Sequence, residues 1–80
     1  MRIDKFLKNS RIIKRRTVAK EACEQGRIVI NGKAAKPGTE VTEGDEIDIV
    51  FGNGSLKVEV LKLLDSCRKE DAASMYRVIE

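Results

Sequence analysis

Eighty residues, 41% hydrophobic and 36% charged, set the scale of one small folded domain, too short for a deep catalytic cleft and too apolar for global disorder. The net charge of +3 joins two opposed parts: residues 2 to 36 carry eleven basic side chains against three acidic ones, a formal +8, and the remainder carries five basic against ten acidic, a formal −5. With no histidine and only Cys23 and Cys67 as cysteines, a zinc site lacks ligands, a disulfide framework lacks a pattern and a thiol nucleophile lacks its usual base.

In chain order, Ile3, Phe6, Leu7 and Ser10 fall at i, i+3, i+4 and i+7, which predicts a short helix over residues 3 to 9 with Lys5, Lys8 and Asn9 on its wet side. Ser10 and Arg11 form its exit. Ile12 and Ile13 are an apolar clip under the next element, while Lys14, Arg15 and Arg16 stay in solvent. Thr17 is placed to cap a second helix whose inward face holds Val18, Ala19, Ala22 and Cys23. Gly26 stands where a left-handed residue ends it, so two helices and a basic connector form an αα hairpin.

After Gly26 the period becomes two. Arg27 to Ile30 reads as a strand, Asn31-Gly32 as a tight hairpin turn and Lys33 to Ala35 as the antiparallel return. Pro37-Gly38 suits the centre of a type II turn, and Gly44-Asp45 marks another. Residues 46 to 51 alternate with Ile47, Ile49 and Phe51 on one inward face. Gly52 to Ser55 reads as a flexible loop, and the alternation of residues 56 to 64 changes phase at Val60-Leu61, which a bulge or bend explains. Residues 68 to 74 favour helix, and Met75 to Ile79 can close as a last strand in which Tyr76 packs. The fold class is α+β, an αα hairpin on a small, mostly antiparallel sheet, in a single domain spanning 1–80.

The concentration of cations in residues 2 to 36 points to a polyanionic partner, nucleic acid first. Lys8 and Lys36 read as ordinary solvated charges. Asp4 reads as support for a basic neighbour or for the helix start. The acidic stretch from Glu40 to Asp48 lacks calcium-loop spacing and reads as a solvated turn. Cys23, on the inward helical face, reads as a small core residue. No apolar run approaches the roughly 20 residues of a membrane span, so a soluble, cytoplasmic protein is expected, without membrane contact or cofactor.

Several fragments together resemble a known family. Arg2-Ile3-Asp4-Lys5-Phe6-Leu7, Ser10-Arg11, Arg16-Thr17-x-Ala19, Gly26-Arg27-Ile28-x-Ile30-Asn31-Gly32 and Val41-x-x-Gly44-Asp45 are similar to the RNA-binding domain named after the fourth protein of the small ribosomal subunit, the S-four domain. The resemblance covers residues 1–51, leaving 52–80 as a C-terminal strand and tail. Residues 14 to 21, KRRTVAKE, and the ending Glu70-Asp71-Ala72-Ala73-x-Met75-Tyr76 resemble the RqcP family more than the longer, related heat-shock S-four proteins.

The resemblance implies an L-shaped hairpin gripping folded RNA, with Arg2, Lys5, Arg11, Lys14, Arg15, Arg16 and Lys20 on phosphates and Arg27 and Lys33 at the margin. It also implies a noncatalytic, monomeric factor that binds rRNA and tRNA on a large ribosomal subunit carrying peptidyl-tRNA. Such a factor supports C-terminal tailing of the stalled peptide by an RqcH-like partner. The alternatives are a general rRNA-binding assembly or heat-shock recycling factor, a DNA-binding regulator using the hairpin as a helix-turn-helix, and a protein-docking module using the acidic sheet. With Phe6 and Phe51 inward, base stacking has few candidates, and shape recognition is favoured over sequence reading.

Overall fold

The computed structural model describes residues 1–65 and 68–79. Its elements are α1 (Ile3–Asn9), α2 (Arg16–Glu24), β1 (Ile28–Ile30), β2 (Lys33–Ala34), β3 (Glu46–Phe51), β4 (Gly54–Val60), α3 (Lys69–Ala72), a 3-10 turn (Ala73–Met75) and β5 (Tyr76–Val78). The strands form one antiparallel sheet in the order β2-β1-β3-β4-β5.

Period-two patterning builds the core. Register pairs Ile28 with Ile49, Ile30 with Ile47 and Ile47 with Val58, putting branched apolar residues on a common face where side chains stand toward the helices. Ile3, Phe6 and Leu7 of α1 and Ala19 and Cys23 of α2 close that face into one cluster, completed by Val41, Val60 and Met75.

The first turn of α1 has no hydroxyl cap. Two of its orphan amides are met by tertiary structure, the Ile3 N–H donating to the Thr39 carbonyl at 2.8 Å and the Asp4 N–H to the Pro37 carbonyl at 3.4 Å, and a third locally, the Lys5 N–H donating to the adjacent Asp4 carboxylate at 2.8 Å. An amide buried without a partner is costly, so the 37–39 loop is part of the helix start. This also decides the turn at Pro37-Gly38. A type II turn flips the central peptide and needs Gly38 at positive φ. Gly38 is not among the positive-φ glycines, and the Pro37 carbonyl faces α1, so the expected type II geometry is replaced by a turn closed from Thr39 N–H to the Lys36 carbonyl at 3.0 Å.

α2 ends as expected. Gly26 has φ +75°, its N–H donates to the Cys23 carbonyl at 3.1 Å, and the Arg27 N–H reaches the Ala22 carbonyl at 2.9 Å, the paired bonds of a Schellman motif. The start of α2 differs from expectation: Arg15 is the flanking residue, no side chain caps the helix, and Thr17 lies inside it. The buried stripe is Ala19 and Cys23 with Ala22 half-buried beside it; Val18, a turn farther out on that flank, is 47% exposed.

Asn31 and Gly32, at φ +50° and +84°, make the predicted tight hairpin. Residues 52 to 55 are no flexible loop, because Phe51 pairs directly with Gly54 across a two-residue turn. β1 ends its pairing with β3 at Ile49, so Phe51 overhangs the covered part of the sheet and is 45% exposed instead of inward. The phase change at Val60-Leu61 is the end of β4, where Leu61 and Lys62 N–H groups both turn to the Met75 carbonyl, at 2.7 and 3.2 Å.

The tail forms the expected helix and strand, β5 pairing Tyr76 with Val60 and Val78 with Val58; Tyr76 packs on the core. Cys67 lies outside the described residues. Among the described residues, no helix is long and apolar enough to cross a membrane. A Cβ at Gly26 would meet nothing within 4 Å, so Gly26→Ala should cost only the left-handed backbone penalty, about 1–2 kcal/mol, read as a lower urea midpoint with an unchanged slope.

Candidate nucleic-acid interface

Helices α1 and α2 meet across one carboxylate. Asp4, in the first turn of α1, is 2% exposed. Its Oδ2 receives Arg2 Nη2 at 3.2 Å and Arg16 Nε at 3.4 Å, and its Oδ1 receives the Lys5 N–H at 2.8 Å and Arg16 Nη2 at 3.5 Å. Burying a carboxylate is unfavourable unless its lone pairs are filled, and here both oxygens are engaged. Arg2 flanks α1 and Arg16 opens α2, so the carboxylate also fixes the two helix starts relative to each other.

The two arginine side chains remain 49% and 48% exposed. Two guanidiniums against one carboxylate leave a unit of positive charge at the mouth of an open cleft of about 310 Å³, lined by Arg2, Asp4, Arg16, Thr17 and Lys20. Asp4 engages part of each guanidinium, and the remaining N–H groups can donate outward in the forked geometry suited to phosphate oxygens. Lys20 adds a mobile charge and Thr17 a hydroxyl.

The chain matches the S4 domain family over residues 1–47. It belongs to that family. The RQC P-site tRNA stabilizing factor of Halalkalibacterium halodurans is 58% identical over 78 residues, 98% of this chain and 89% of that one; its counterpart in Streptococcus pneumoniae is 57% identical over 79 residues, 99% and 90% of the two chains. Among solved structures, trimeric Vibrio cholerae heat shock protein 15 superposes with a TM-score of 0.90 at 32% identity, over 98% of this chain and 80% of that one.

Within this S4 hairpin, the structure gathers Arg2, Arg16 and Lys20 of the nine predicted contact residues into the cleft. Arg11, Lys14 and Arg15 lie exposed on the connector. Lys5 is placed otherwise: its ammonium pairs with Asp65 at 3.1 Å, and Asn9, a turn later, donates to the Leu64 and Asp65 carbonyls at 2.9 and 3.0 Å. This face of α1 is a clamp on the segment after β4. Arg27 and Lys33 sit by the sheet, Arg27 just before β1 and Lys33 opposite Ile30.

Thr17 is the cleft residue that sequence reasoning assigned to another task; its place became visible only when Arg16 was tied back to Asp4. Asp4 supports basic neighbours as expected, but across two helices. The acidic turn residues serve structure: Asp45 accepts the Thr42 N–H at 2.9 Å and Asn31 Nδ2 at 3.1 Å, stapling two turns. Among the described residues, no group of three His, Cys, Asp or Glu could hold a metal ion.

Burial, followed by the nearby Asp4 and Glu24 charges, pushes the Cys23 thiol up to about 11, consistent with a core residue. A raised thiol pKa means the folded state holds its proton more tightly than the unfolded chain, so this contribution to stability is full below the free thiol's value of 9.0 and fades as pH rises toward about 11. Cys23→Ala should flatten that alkaline fall in urea midpoint. Asp4→Asn should lower stability by about 1–3 kcal/mol through loss of charged hydrogen bonds, measured by the same titration at neutral pH.

Proposed function

We propose that the chain is a noncatalytic RNA-binding factor acting on the ribosome, in the cytoplasm, through the S4 hairpin. The observation that carries this reading is the Arg2–Asp4–Arg16 cleft: a buried carboxylate holds two half-exposed guanidiniums from different helices at the lining of one open cleft, inside a segment of formal charge +8. Such a surface recognises the spacing of phosphates on folded RNA, with the preformed hairpin supplying the geometry. Family membership, and relatives whose names describe stabilization of a P-site tRNA, support the same conclusion.

The finer proposal is that the protein, as a monomer, contacts rRNA and tRNA on a large subunit still holding peptidyl-tRNA. There it serves ribosome-associated quality control beside an RqcH-like tailing factor. Holding a tRNA in place requires complementarity and no bond chemistry, which agrees with a cleft of cations around a fully engaged carboxylate. Arg2, Arg16 and Lys20 form the central contact; Lys14 and Arg15 extend it along the connector, with Arg27 and Lys33 peripheral. Lys5 serves mainly as a clamp.

A heat-shock-type recycling role is the second reading, favoured by the likeness to heat shock protein 15. The two separate on whether tRNA is part of the bound complex. A DNA-reading role is disfavoured because exposed Glu21 and Glu24 follow Lys20 on α2, a poor surface for a major groove.

Sedimentation of tagged protein through a salt series tests the proposal. Four to six phosphate contacts give a log–log slope of roughly −3 to −5, with co-migration on large subunits and retained tRNA. Arg16→Glu should abolish co-migration. Arg16→Ala, which places no second carboxylate beside Asp4, should weaken it with the thermal transition still cooperative. Unchanged association of a folded Arg16→Ala would overturn the cleft as the contact site.

A further inference from the structure

Thr17 stabilises nothing visible in the fold. It is exposed in the first turn of α2, where a β-branched residue is a mediocre helix former. Its hydroxyl neither caps the helix nor makes a side-chain hydrogen bond among the described residues. Yet it lines the same cleft as Arg2, Arg16 and Lys20. Because no side chain caps α2, the first amides of that helix also lack a side-chain acceptor, and the positive end of its dipole faces this point.

The cleft holds three cations against the Asp4 carboxylate, a formal +2. A phosphoryl group on the Thr17 oxygen carries about −1.5 to −2 charge at pH 7, with three acceptor oxygens, and brings the cleft close to neutral from within. Lys20 stands at i+3 from Thr17, on the same helix face. The guanidiniums of Arg2 and Arg16 are half-exposed and keep donors that Asp4 does not take up. Asp4 itself is buried with both oxygens engaged, so its charge is already answered. The hydroxyl is also presented for modification: Lys14, Arg15 and Arg16 directly precede it and all are exposed, a cationic approach that suits a kinase with an acidic substrate groove.

We propose that Thr17 is a phosphorylation site, and that the phosphothreonine docks in the cleft as an internal anion and closes it to RNA. The closing step rests on the RNA-binding reading above; the docking step stands without it. In the modification, the Thr17 hydroxyl oxygen forms a bond to the γ-phosphorus of ATP and its proton passes to a base of the serine/threonine kinase. The bond from that phosphorus to the bridging oxygen breaks, ADP leaves, and nothing is oxidised or reduced.

The test treats the full chain with magnesium, ATP and a basic-directed serine/threonine kinase, compares wild type with Thr17→Ala by intact mass and peptide mapping, and maps the same position in the chain isolated from its own cells across growth phases. One phosphoryl group on Thr17 is expected in both preparations of wild type, and its absence from either overturns the site. The phosphorylated chain should melt roughly 4–8 °C higher than the unmodified one, a gain that phosphatase reverses and that the surface substitution Lys20→Gln reduces. No gain, or a gain that Lys20→Gln leaves whole, overturns docking in the cleft. On purified bacterial large ribosomal subunits carrying P-site tRNA, phosphorylation should weaken binding by about tenfold or more at low salt. The log–log salt slope should become shallower by about 1.4–1.8, for two fewer neutralised phosphates. Equal binding of the two forms overturns the switch, whereas failure of the unmodified chain to bind overturns the RNA-binding reading and leaves the melting comparison to decide the docking.

Discussion

The structure of the basic hairpin depends on the burial of the Asp4 carboxylate. A charge 2% exposed persists only where donors surround it, and its donors come from before α1, within α1 and the start of α2. Satisfying one carboxylate therefore brings Arg2 and Arg16, fourteen positions apart in the chain, to the same point. It also leaves each guanidinium with free donors facing solvent. One interaction thus orders the hairpin and sets the sign of its cleft.

The remaining charges are arranged so that this positive face stands out. On and around the sheet, Lys57 pairs with Glu46 and Arg77 with Glu59, and Lys5 pairs with Asp65 where the tail crosses α1. Exposed pairs of this kind add little stability. Their effect is on the field: these three cations are neutralised locally, while Arg11, Lys14 and Arg15 project from the connector without carboxylate partners among the described residues. A segregated potential of this kind steers a polyanion toward one orientation.

The small core governs how the helices can begin and end. α1 and α2 have seven and nine residues, too short to be stable alone, and neither begins with a capping hydroxyl. α1 borrows carbonyls from the 37–39 loop, and α2 closes with a glycine-based Schellman turn. The loop that completes α1 belongs to the link between β2 and β3, so helix and sheet order each other.

Local and additive features were legible in the residues alone. Apolar period marked α1 and the inner residues of β1 and β3, the left-handed demands at Gly26 and Asn31-Gly32 marked a helix end and a hairpin, and the charge count located the basic segment. Those signals act over a few residues or sum along the chain, so they survive without coordinates. Long-range contacts, by contrast, are the reason that Thr17 lines a cleft instead of capping a helix, that Lys5 pairs with Asp65, that Gly38 avoids a type II turn and that Phe51 overhangs the sheet. Each of these is set by a partner distant in sequence: Asp4 for Arg16, the tail for Lys5, the α1 amides for Pro37 and the end of β1 for Phe51. Local propensity carries no information about which distant group arrives, and burial and hydrogen-bond satisfaction then override it.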